Sequence, residues 1–345
     1  MDLSERKLKI LQAIVGDYIR SAEPVGSRTL SKKYDMGISA ATIRNEMSDL
    51  EEMGLLTHPH TSAGRVPSDK AYRLYVNSLM QRYELPENEK KVIDDKISSG
   101  IAELDRTLQR ASQILSELTN LTAFAMTPTQ DDNQLKYINI LPVDARTIVL
   151  MIVAESGKIT NTAVRLKTDY DPKQLELLSK VMTHNYKGRR LTSLLTLDII
   201  KDLENDIAAL GKVAEDIVPS FMKTLENMLN VDLYVEGLDK IFYLPEYSDF
   251  NRAKMFMQML SRKKELETML LNRESGVIIT IGGENAEEDM KDCSLITATY
   301  CVDGTCVGKL GVVGPTRMKY DEVTSVIEYL TQNLNNAFKL TEGEE

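Results

Sequence analysis

The sequence predicts an α+β protein in which a small winged helix-turn-helix domain precedes a larger α+β body. Residues 1–78 hold three amphipathic helical patterns and then two short strand patterns around a polar loop, which is the element order of a winged helix-turn-helix. Further along, strand-like segments lie on both sides of a helical stretch, as in one α+β domain that carries an inserted piece. A length of 345 residues suits two or three such domains.

Caps and apolar faces mark the three helices of the first domain. Each helix begins at a serine that is its predicted N-cap: Ser4, Ser27 and Ser39. The first helix ends before Pro24 and the third ends at Gly54. Apolar residues at i, i+4 and i+7 give the third helix one buried face, which is formed by Ile43, Met47 and Leu50.

The opposite side of the third helix has side chains suited to reading base edges in a major groove. The predicted groove-facing positions are Ala40, Thr42, Arg44 and Asn45. Arginine can bind guanine through two hydrogen bonds, asparagine can do the same with adenine, and threonine offers a hydroxyl and a methyl group. A polar helix with one arginine is also compatible with an ordinary solvated surface. The order of helix, cap, turn, helix and basic loop favours DNA reading.

Two further groups of residues are predicted to contact the DNA backbone. Some lie near helix N-termini, where backbone N–H groups can hold phosphate: Ser27, Arg28 and Ser39. The loop between the two short strands is rich in hydrogen-bond donors and suits a wing laid along the backbone or in the minor groove. Its predicted contacts are His58, His60, Ser62 and Arg65.

The distribution of charge supports a DNA contact confined to the first domain. Residues 1–82 hold 12 Lys and Arg against 10 Asp and Glu, a net charge of +2. The whole chain has a formal charge of −10, so the remaining residues carry −12. An acidic body repels the phosphate backbone, which leaves the first domain as the place for DNA contact.

An alternation of apolar residues by three and four, from residue 97 to residue 118, predicts one long linker helix within residues 79–125. Such a helix could pack on its own domain or pair with a helix of a second subunit. Gly100 lies inside the run and weakens the case for a continuous coiled coil.

The body begins with three predicted strands between residues 135 and 166, separated by turn signals at Asp144 and at Ser156-Gly157. Residues 172–230 are predicted to be helical, with Asp171 as a cap and Pro172 at the first helical position. Pro219 is expected to break or restart a helix there.

Strands are predicted again at residues 231–244 and 276–314, with a helix at about residues 249–272 between them and a last helix near residues 321–339. The glycine-rich stretch at residues 304–316 resembles a phosphate-binding loop only superficially, because its alternating apolar residues predict a hairpin strand. Three methionines on the helix at 249–272 suit either the core or an adaptable partner surface: Met255, Met257 and Met259.

Catalytic, metal and cofactor sites are not predicted. The sequence has no Ser-His-Asp order, no H-E-x-x-H motif and no Walker loop. His58 and His60 have no cysteine or carboxylate close by in the sequence to complete a zinc site. The longest apolar runs have about eight residues, too short for a membrane span, and the start lacks a signal core. We therefore expect a cytoplasmic protein that is not an enzyme.

Cys301 and Cys306 flank Asp303-Gly304, the signal for a two-residue hairpin. This places the two cysteines directly opposite each other, where a disulfide is geometrically possible. In a reducing cytosol two half-buried thiols are the favoured interpretation, and a redox switch is the alternative.

Three stretches carry a resemblance to a known family. "EPVGSRTLSKKYDMGISAATIRNEMSDLEEMGLLTHPHTSAGRVPSDKAYRLYV" at residues 23–76, and within it "PHTSAGRVP" above all, looks very like the winged-helix segment of the heat-inducible transcription repressor family, HrcA. "CSLITATY" at 293–300 and "GVVGPTRMKY" at 311–320 resemble its C-terminal region. The departures are mild, since Glu46 and Ser68 replace the commoner Asp and Thr.

The resemblance implies a three-part architecture: a winged helix at residues 1–78, a GAF-like α+β domain at 126–172 and 236–341, and an inserted, mainly helical dimerising domain at 173–235. It also implies a homodimer that binds double-stranded DNA at an inverted-repeat operator ahead of chaperone operons, represses them, and is kept active by the chaperonin. By position, the DNA-reading helix falls on residues 39–48 and the wing on residues 58–65. The resemblance transfers no cofactor.

A regulator that senses a metabolite through its GAF-like domain is the alternative function. GAF-like domains elsewhere bind small ligands, although no ligand residue can be transferred to this sequence by motif. A thermal shift induced by a small ligand would distinguish this alternative from a heat-responsive repressor.

Overall fold

The computed structural model describes residues 3–34, 36–59, 64–98, 104–127, 133–155, 157–167, 169–197, 199, 201, 211–229, 231–302 and 305–340. The chain divides into two compact units: Met1–Thr127 with Asp232–Glu345, and Pro128–Val231. The first unit contains the N-terminal domain, here called the head, and the α+β domain, here called the body. Among the described residues, no helix is both long and apolar enough to cross a membrane.

The head has the predicted winged helix-turn-helix. Its elements are α1 (Glu5–Ser21), α2 (Ser27–Lys33), α3 (Ala40–Glu52), β1 (Leu56–Thr57), β2 (Val66–Pro67) and α4 (Asp69–Leu74), followed by a π-helical turn to Leu79. Ser4 and Ser39 cap α1 and α3, as predicted. The prediction that Ser27 caps α2 is wrong, because Gly26 is the N-cap and Ser27 is the first helical residue. Glycine is also an acceptable N-cap, so the helix starts one residue after it.

The linker is formed by two separate helices, α5 (Glu87–Ser98) and α6 (Leu104–Thr119), so the prediction of one long helix is wrong. Lys96 Nζ lies 2.7 Å from Glu117 Oε2, whereas these residues would be about 30 Å apart along one continuous helix. The apolar alternation arises because both helices bury a face in the core of their own chain. Ile101, a member of that alternation, lies outside the described residues. After α6 the chain enters β3 (Thr122–Met126) of the body.

The second compact unit is an antiparallel three-stranded sheet with helices. Its elements are β4 (Leu135–Pro142), β5 (Thr147–Ala154), β6 (Ile159–Arg165), α7 (Pro172–Tyr186), α8 (Leu191–Leu194) and α9 (Gly211–Leu229). Asp171 caps α7 as predicted, since its side chain accepts from the N–H of Lys173. The N–H groups along the outer edge of β4 donate to hydroxyls of α7, for example Ile140 N to Ser179 Oγ at 2.9 Å. An edge covered in this way is poorly suited to pairing with a further strand.

Two expectations about this unit are corrected by the structure. The compact insertion begins at Pro128 rather than at residue 173, because the three strands share a buried core with α7, α8 and α9. The expected break at Pro219 is absent, and α9 continues through this proline. Pro219 lies on the exposed side of the helix, where the carbonyl that loses its N–H partner can bind water instead.

The body is a five-stranded antiparallel sheet in the order β7-β3-β10-β9-β8, where β7 is Leu233–Glu236, β8 is Ile278–Ile281, β9 is Cys293–Val302 and β10 is Thr305–Pro315. The glycine-rich stretch falls on β10, as predicted. Helices α5 and α6 and the C-terminal helix α12 (Tyr320–Leu340) bury their apolar residues in the same core as one face of the sheet. The helix predicted at 249–272 is divided at Arg262 into α10 (Phe250–Ser261) and α11 (Lys263–Leu271).

The body holds the three cysteines and the predicted methionine cluster. Cys301 faces Cys306 in the β9–β10 register, as predicted, and Cys301 is disulfide-bonded rather than a thiol. Cys293 is a buried free cysteine, and burial raises the pKa of its thiol to about 11. The methionine cluster is split, because Met259 is buried in the core whereas Met255 is 55% exposed.

Candidate nucleic-acid interface

The candidate reading helix α3 is fixed at its start by a cap and along one side by the core. Ser39 Oγ accepts from Thr42 N at 3.1 Å and lies 3.0 Å from Thr42 Oγ1. Ile43, Met47 and Leu50 are buried in the core, as predicted. The hydroxyl of Thr42 shares one hydrogen bond with the cap and keeps further hydrogen-bonding capacity, beside its methyl group, for contact with a base.

Arg44 and Asn45 are the two best-placed side chains for reading bases. Both are exposed, and the structure gives neither a partner among the described residues. Ala40, one turn earlier, is half-buried. A guanidinium and an amide that stand next to each other near the start of an exposed helix can reach adjacent base pairs in a major groove.

Helix α2 presents a basic face that the sequence analysis recognised only in part. Arg28 is exposed, as expected for a phosphate contact, and Ser27 is half-buried at the first turn. Arg28, Thr29, Lys32 and Lys33 line a shallow surface depression of about 320 Å³. Lys32 is exposed, and its spacing of four residues from Arg28 was the sequence signal that could have identified it. The first helix of a helix-turn-helix crosses the DNA backbone, so both cations are suited to phosphate.

The base of the wing is braced against the reading helix. Arg65 Nη2 lies 2.7 Å from Glu51 Oε2 of α3, and Arg65 Nη1 lies 2.7 Å from His58 Nδ1. Arginine can only donate, so Nδ1 of His58 accepts and the imidazole proton is on Nε2, which lies 3.4 Å from Glu51 Oε1. His58 and Arg65 therefore hold the wing to α3, a role beside the predicted DNA contact that sequence reasoning missed. His60 and Ser62 lie outside the described residues.

A backbone contact at the other end of the wing requires a glycine. Val25 and Arg65 exchange two backbone hydrogen bonds of 2.9 Å. A Cβ atom at Gly64 would lie only 2.5 Å from the carbonyl oxygen of Val25. Any side chain at this position would push the wing away from the segment before α2, so Gly64 fixes where the wing ends.

A buried carboxylate holds α1 to α2. Oδ1 of Asp17 accepts from Lys33 Nζ, Tyr34 OH and Arg20 Nη2 at 2.7, 2.7 and 2.9 Å. Burial alone would raise the pKa of Asp17, but the three donors outweigh it and keep the pKa below its ordinary value. Lys33 is thereby engaged within the head, which leaves Arg28 and Lys32 as the cations on this face that are directed to solvent.

These features define a winged-helix DNA-binding protein. A capped and exposed reading helix carries Arg44 and Asn45, a basic helix lies beside it, and a braced wing follows. The comparisons with known proteins then give the family. Residues 2–81 match the model described as the winged helix-turn-helix transcription repressor, HrcA DNA-binding domain, and residues 105–324 match that of the HrcA protein C-terminal domain. The chain belongs to the HrcA family of heat-inducible transcription repressors.

Full-length relatives agree with this membership. The heat-inducible transcription repressor HrcA of Clostridium tetani (strain Massachusetts / E88) is 40% identical over 341 residues, which cover 98% of this chain and 97% of the relative. The protein of the same name from Ruminiclostridium cellulolyticum is also 40% identical, with 97% of each chain covered. A solved crystal structure of a hypothetical protein has a TM-score of 0.67 at 22% identity and covers 99% of this chain and 100% of its own. That likeness concerns the fold alone.

Membership of a repressor family supports the prediction that the chain is not an enzyme. The part of the chain that the structure describes holds no group of three or more His, Cys, Asp or Glu side chains that could bind a metal ion. The chemistry that this candidate interface offers is hydrogen bonding and charge pairing.

Proposed function

We propose that the protein represses heat-shock operons by binding, as a homodimer, to an inverted-repeat operator in double-stranded DNA ahead of chaperone genes. The observation that carries the proposal is the uncovered side of α3, where Arg44 and Asn45 face solvent beside the basic residues of α2. Two heads in one dimer would occupy half-sites separated by a whole number of duplex turns. The operator lies in the cytoplasm, so the protein would act there.

Heat would release the repressor by loosening its fold. The apolar cores of the head and the body are continuous, so a reversible loosening of the body would disturb the DNA-binding surface as well. The chaperonin would return the loosened protein to its binding form. This regulation is supported by the heat-inducible repressors among the relatives and by the shared core.

A footprint tests the proposal directly. The promoters of the chaperone genes of the source organism are incubated with the protein at a growth temperature and at a heat-shock temperature. Protection of an inverted repeat at the lower temperature and its loss at the higher one are the expected results. Recovery of protection is then measured after cooling, with and without chaperonin and nucleotide. Protection that never depends on temperature, or that chaperonin does not restore, would contradict the regulatory part.

The alternative, a regulator that senses a metabolite, makes a different prediction. A small ligand would raise the unfolding temperature of the protein and change its operator affinity at constant temperature. The names of the relatives do not favour this alternative. A ligand screen by thermal shift, followed by operator binding with any ligand found, separates the two.

A further inference from the structure

The head is attached to the body by a shared core and not by a flexible tether. Apolar residues of α1, α3 and α4 belong to the same buried cluster as those of α6, α12 and the body sheet. The rings of Tyr72 in α4 and Tyr320 in α12 lie 5.9 Å apart, and both residues are almost completely buried. This apolar contact holds the two parts together but does not by itself fix a direction, because the hydrophobic effect is non-directional.

Polar contacts at the edge of this core add direction. One joins Arg317 Nη1 of the body to the carbonyl oxygen of Ile19 in α1, and another joins α4 to the body. Arg73 of α4 binds the carboxylate of Glu284 through Nε and Nη2, with Nε 2.8 Å from Oε1, and Nη2 also lies 2.6 Å from the carbonyl oxygen of Ile279. One turn earlier in α4, Asp69 Oδ2 accepts from the N–H of Gly283 at 2.9 Å. Two-point contacts between planar groups restrict both distance and angle. We call Asp69, Arg73, Gly282, Gly283 and Glu284 the clamp.

The body side of the clamp is shaped to receive Asp69. Gly282 has a φ of +52°, and a Cβ atom there would lie 2.1 Å from Asp69 Oδ2. Glu284 is held in place from behind, since its Oε2 accepts from the N–H of Ile281 at 2.9 Å. Burial would raise the pKa of Glu284, but the hydrogen bonds from Arg73 and from Ile281 N lower it. The carboxylate is therefore kept charged for its contact with the head.

One connection between the clamp and the reading helix runs through Ser68. Ser68 caps α4, and its Oγ donates to the carbonyl oxygen of Gly54 at 2.7 Å, directly after the end of α3. The order of contacts is therefore Glu284, Arg73, α4, Ser68, Gly54 and α3. A change in the angle of α4 on the body would change the angle of α3.

The clamp leaves the DNA-facing side of the head uncovered. Arg44, Asn45 and Ser48 are exposed, whereas Asp69 and Arg73 contact the body. An inhibitory contact would cover the reading helix, and this contact does not.

We propose that Arg73, with Asp69, Gly282 and Glu284, is a positioning device that sets the angle of the reading helix on the body, so that the protein selects operators by the separation of their half-sites. The inference rests on the proposed function, because it needs two heads on one operator. A head that is free to rotate on its body would still bind one half-site. The two heads of the dimer would no longer be held in the orientation that both half-sites require. The gain from simultaneous engagement, about a hundredfold or more when the geometry is right, would then be reduced.

The test uses the full chain and three duplexes: one half-site, two half-sites at the natural separation, and two half-sites moved apart by half a turn, about five base pairs. Arg73→Glu is expected to lose about tenfold or more in affinity for the natural operator, with single half-site affinity changed less than about twofold. The ratio of its affinities for the natural and the altered separation should fall by the same factor as its affinity for the natural operator. Arg73→Glu with Glu284→Arg should restore most of the preference, because the exchanged charges still attract.

Gly282→Ala is a second variant that keeps every ionic group and instead pushes Asp69 away. Its matched control is Gly276→Ala, another glycine with positive φ (+95°) but with nothing within 4 Å of the added Cβ. Gly282→Ala should lose the preference for the natural half-site separation, and Gly276→Ala should keep it. An unchanged preference in both Arg73→Glu and Gly282→Ala, with both proteins folded, would overturn the inference. Tighter operator binding by Arg73→Glu would also overturn it, since the contact would then be inhibitory.

Amide hydrogen exchange separates failure of this inference from failure of the proposed function. The N–H of Gly283 should exchange faster in Arg73→Glu than in Gly276→Ala, whether or not DNA is bound. If the wild-type protein does not bind an operator with two half-sites, the proposed function is rejected. The exchange measurement would still decide whether the clamp forms. Equal exchange rates at Gly283 would reject the clamp.

Discussion

Arg44 is the residue on which base selectivity should depend most. It is exposed near the start of α3, and it can donate two hydrogen bonds to one guanine. We expect Arg44→Ala to cost ~1–3 kcal/mol of binding to the operator and to relax the preference at one base pair. Competition with operators carrying each single substitution measures this. Equal losses on operator and random duplex would reject the assignment.

Arg65 provides the comparison for Arg44. Arg65→Ala should weaken binding to all sequences alike and reduce the dependence on salt, because it removes a wing cation and releases the wing from Glu51. Titrations of both variants against the same specific and random duplexes, at several salt concentrations, distinguish a base contact from a wing support.

Asp17 makes the folding stability of the head depend on pH. Its pKa is below the ordinary value of 3.8 in the folded protein, so the charged carboxylate stabilises the fold. This contribution is fully present above about pH 3.8 and is lost as the pH falls through the lower, folded-state pKa. Asp17→Asn, which keeps the shape, should cost ~1.5–3 kcal/mol near neutral pH. Unfolding free energies of both proteins should converge in acid, and a constant difference would contradict the assignment.

Helix α2 is expected to set the salt dependence of DNA binding. Arg28 and Lys32 lie on its exposed face. Each phosphate contact that is removed should reduce the slope of log affinity against log salt by about 1. Arg28→Ala and Lys32→Ala should therefore lower affinity for operator and random duplex equally, with a shallower slope. Lys96→Ala, at an exposed ion pair between α5 and α6, is the control and should leave the slope unchanged.

Features of the elements that depend on near neighbours in sequence could be predicted. Ser39 as a cap, the buried face of Ile43, Met47 and Leu50, and the strands at 135–166 follow from local hydrogen bonding and from periodicity. The exposure of Arg44 followed in turn from the buried face of its helix.

Features that depend on contacts between residues distant in sequence could not be predicted. Helices α5 and α6 are separate, and a heptad alternation looks the same in one helix and in two that pack on a common core. The insertion begins at Pro128 because its strands pack with α7 rather than with the body sheet, which their pattern does not reveal. The pairing of Arg65 with Glu51 likewise joins residues whose proximity depends on the wing.

A defect in the body should reduce DNA binding by the head. Leu330 of α12 is fully buried in the shared core. Leu330→Ala should cost ~2–5 kcal/mol of unfolding free energy and lower the unfolding temperature by about 2–4 °C for each kcal/mol. Operator binding should be lost at a temperature lowered by the same amount. Glu328→Ala, on the exposed side of the helix, is the control.

Independent behaviour of the two parts would give a different result. If operator binding of Leu330→Ala persisted above the temperature at which the body unfolds, the head would be a separate folding unit. Heat release would then need a cause other than the loosening of the shared core.

The burial of Tyr72 against Tyr320 has a consequence for protein engineering. A graft of residues 1–78 onto an unrelated dimer would expose to water the side of α4 that contacts the body. Asp69 would then lack its donor, the N–H of Gly283, and Arg73 would lack its acceptor, the carboxylate of Glu284. Such a chimera should be prone to aggregation and should bind operators in variable orientations. We therefore expect that the DNA-binding segment cannot be moved to another protein by itself. Its base specificity should be transferred by exchanging only the exposed side chains of α3.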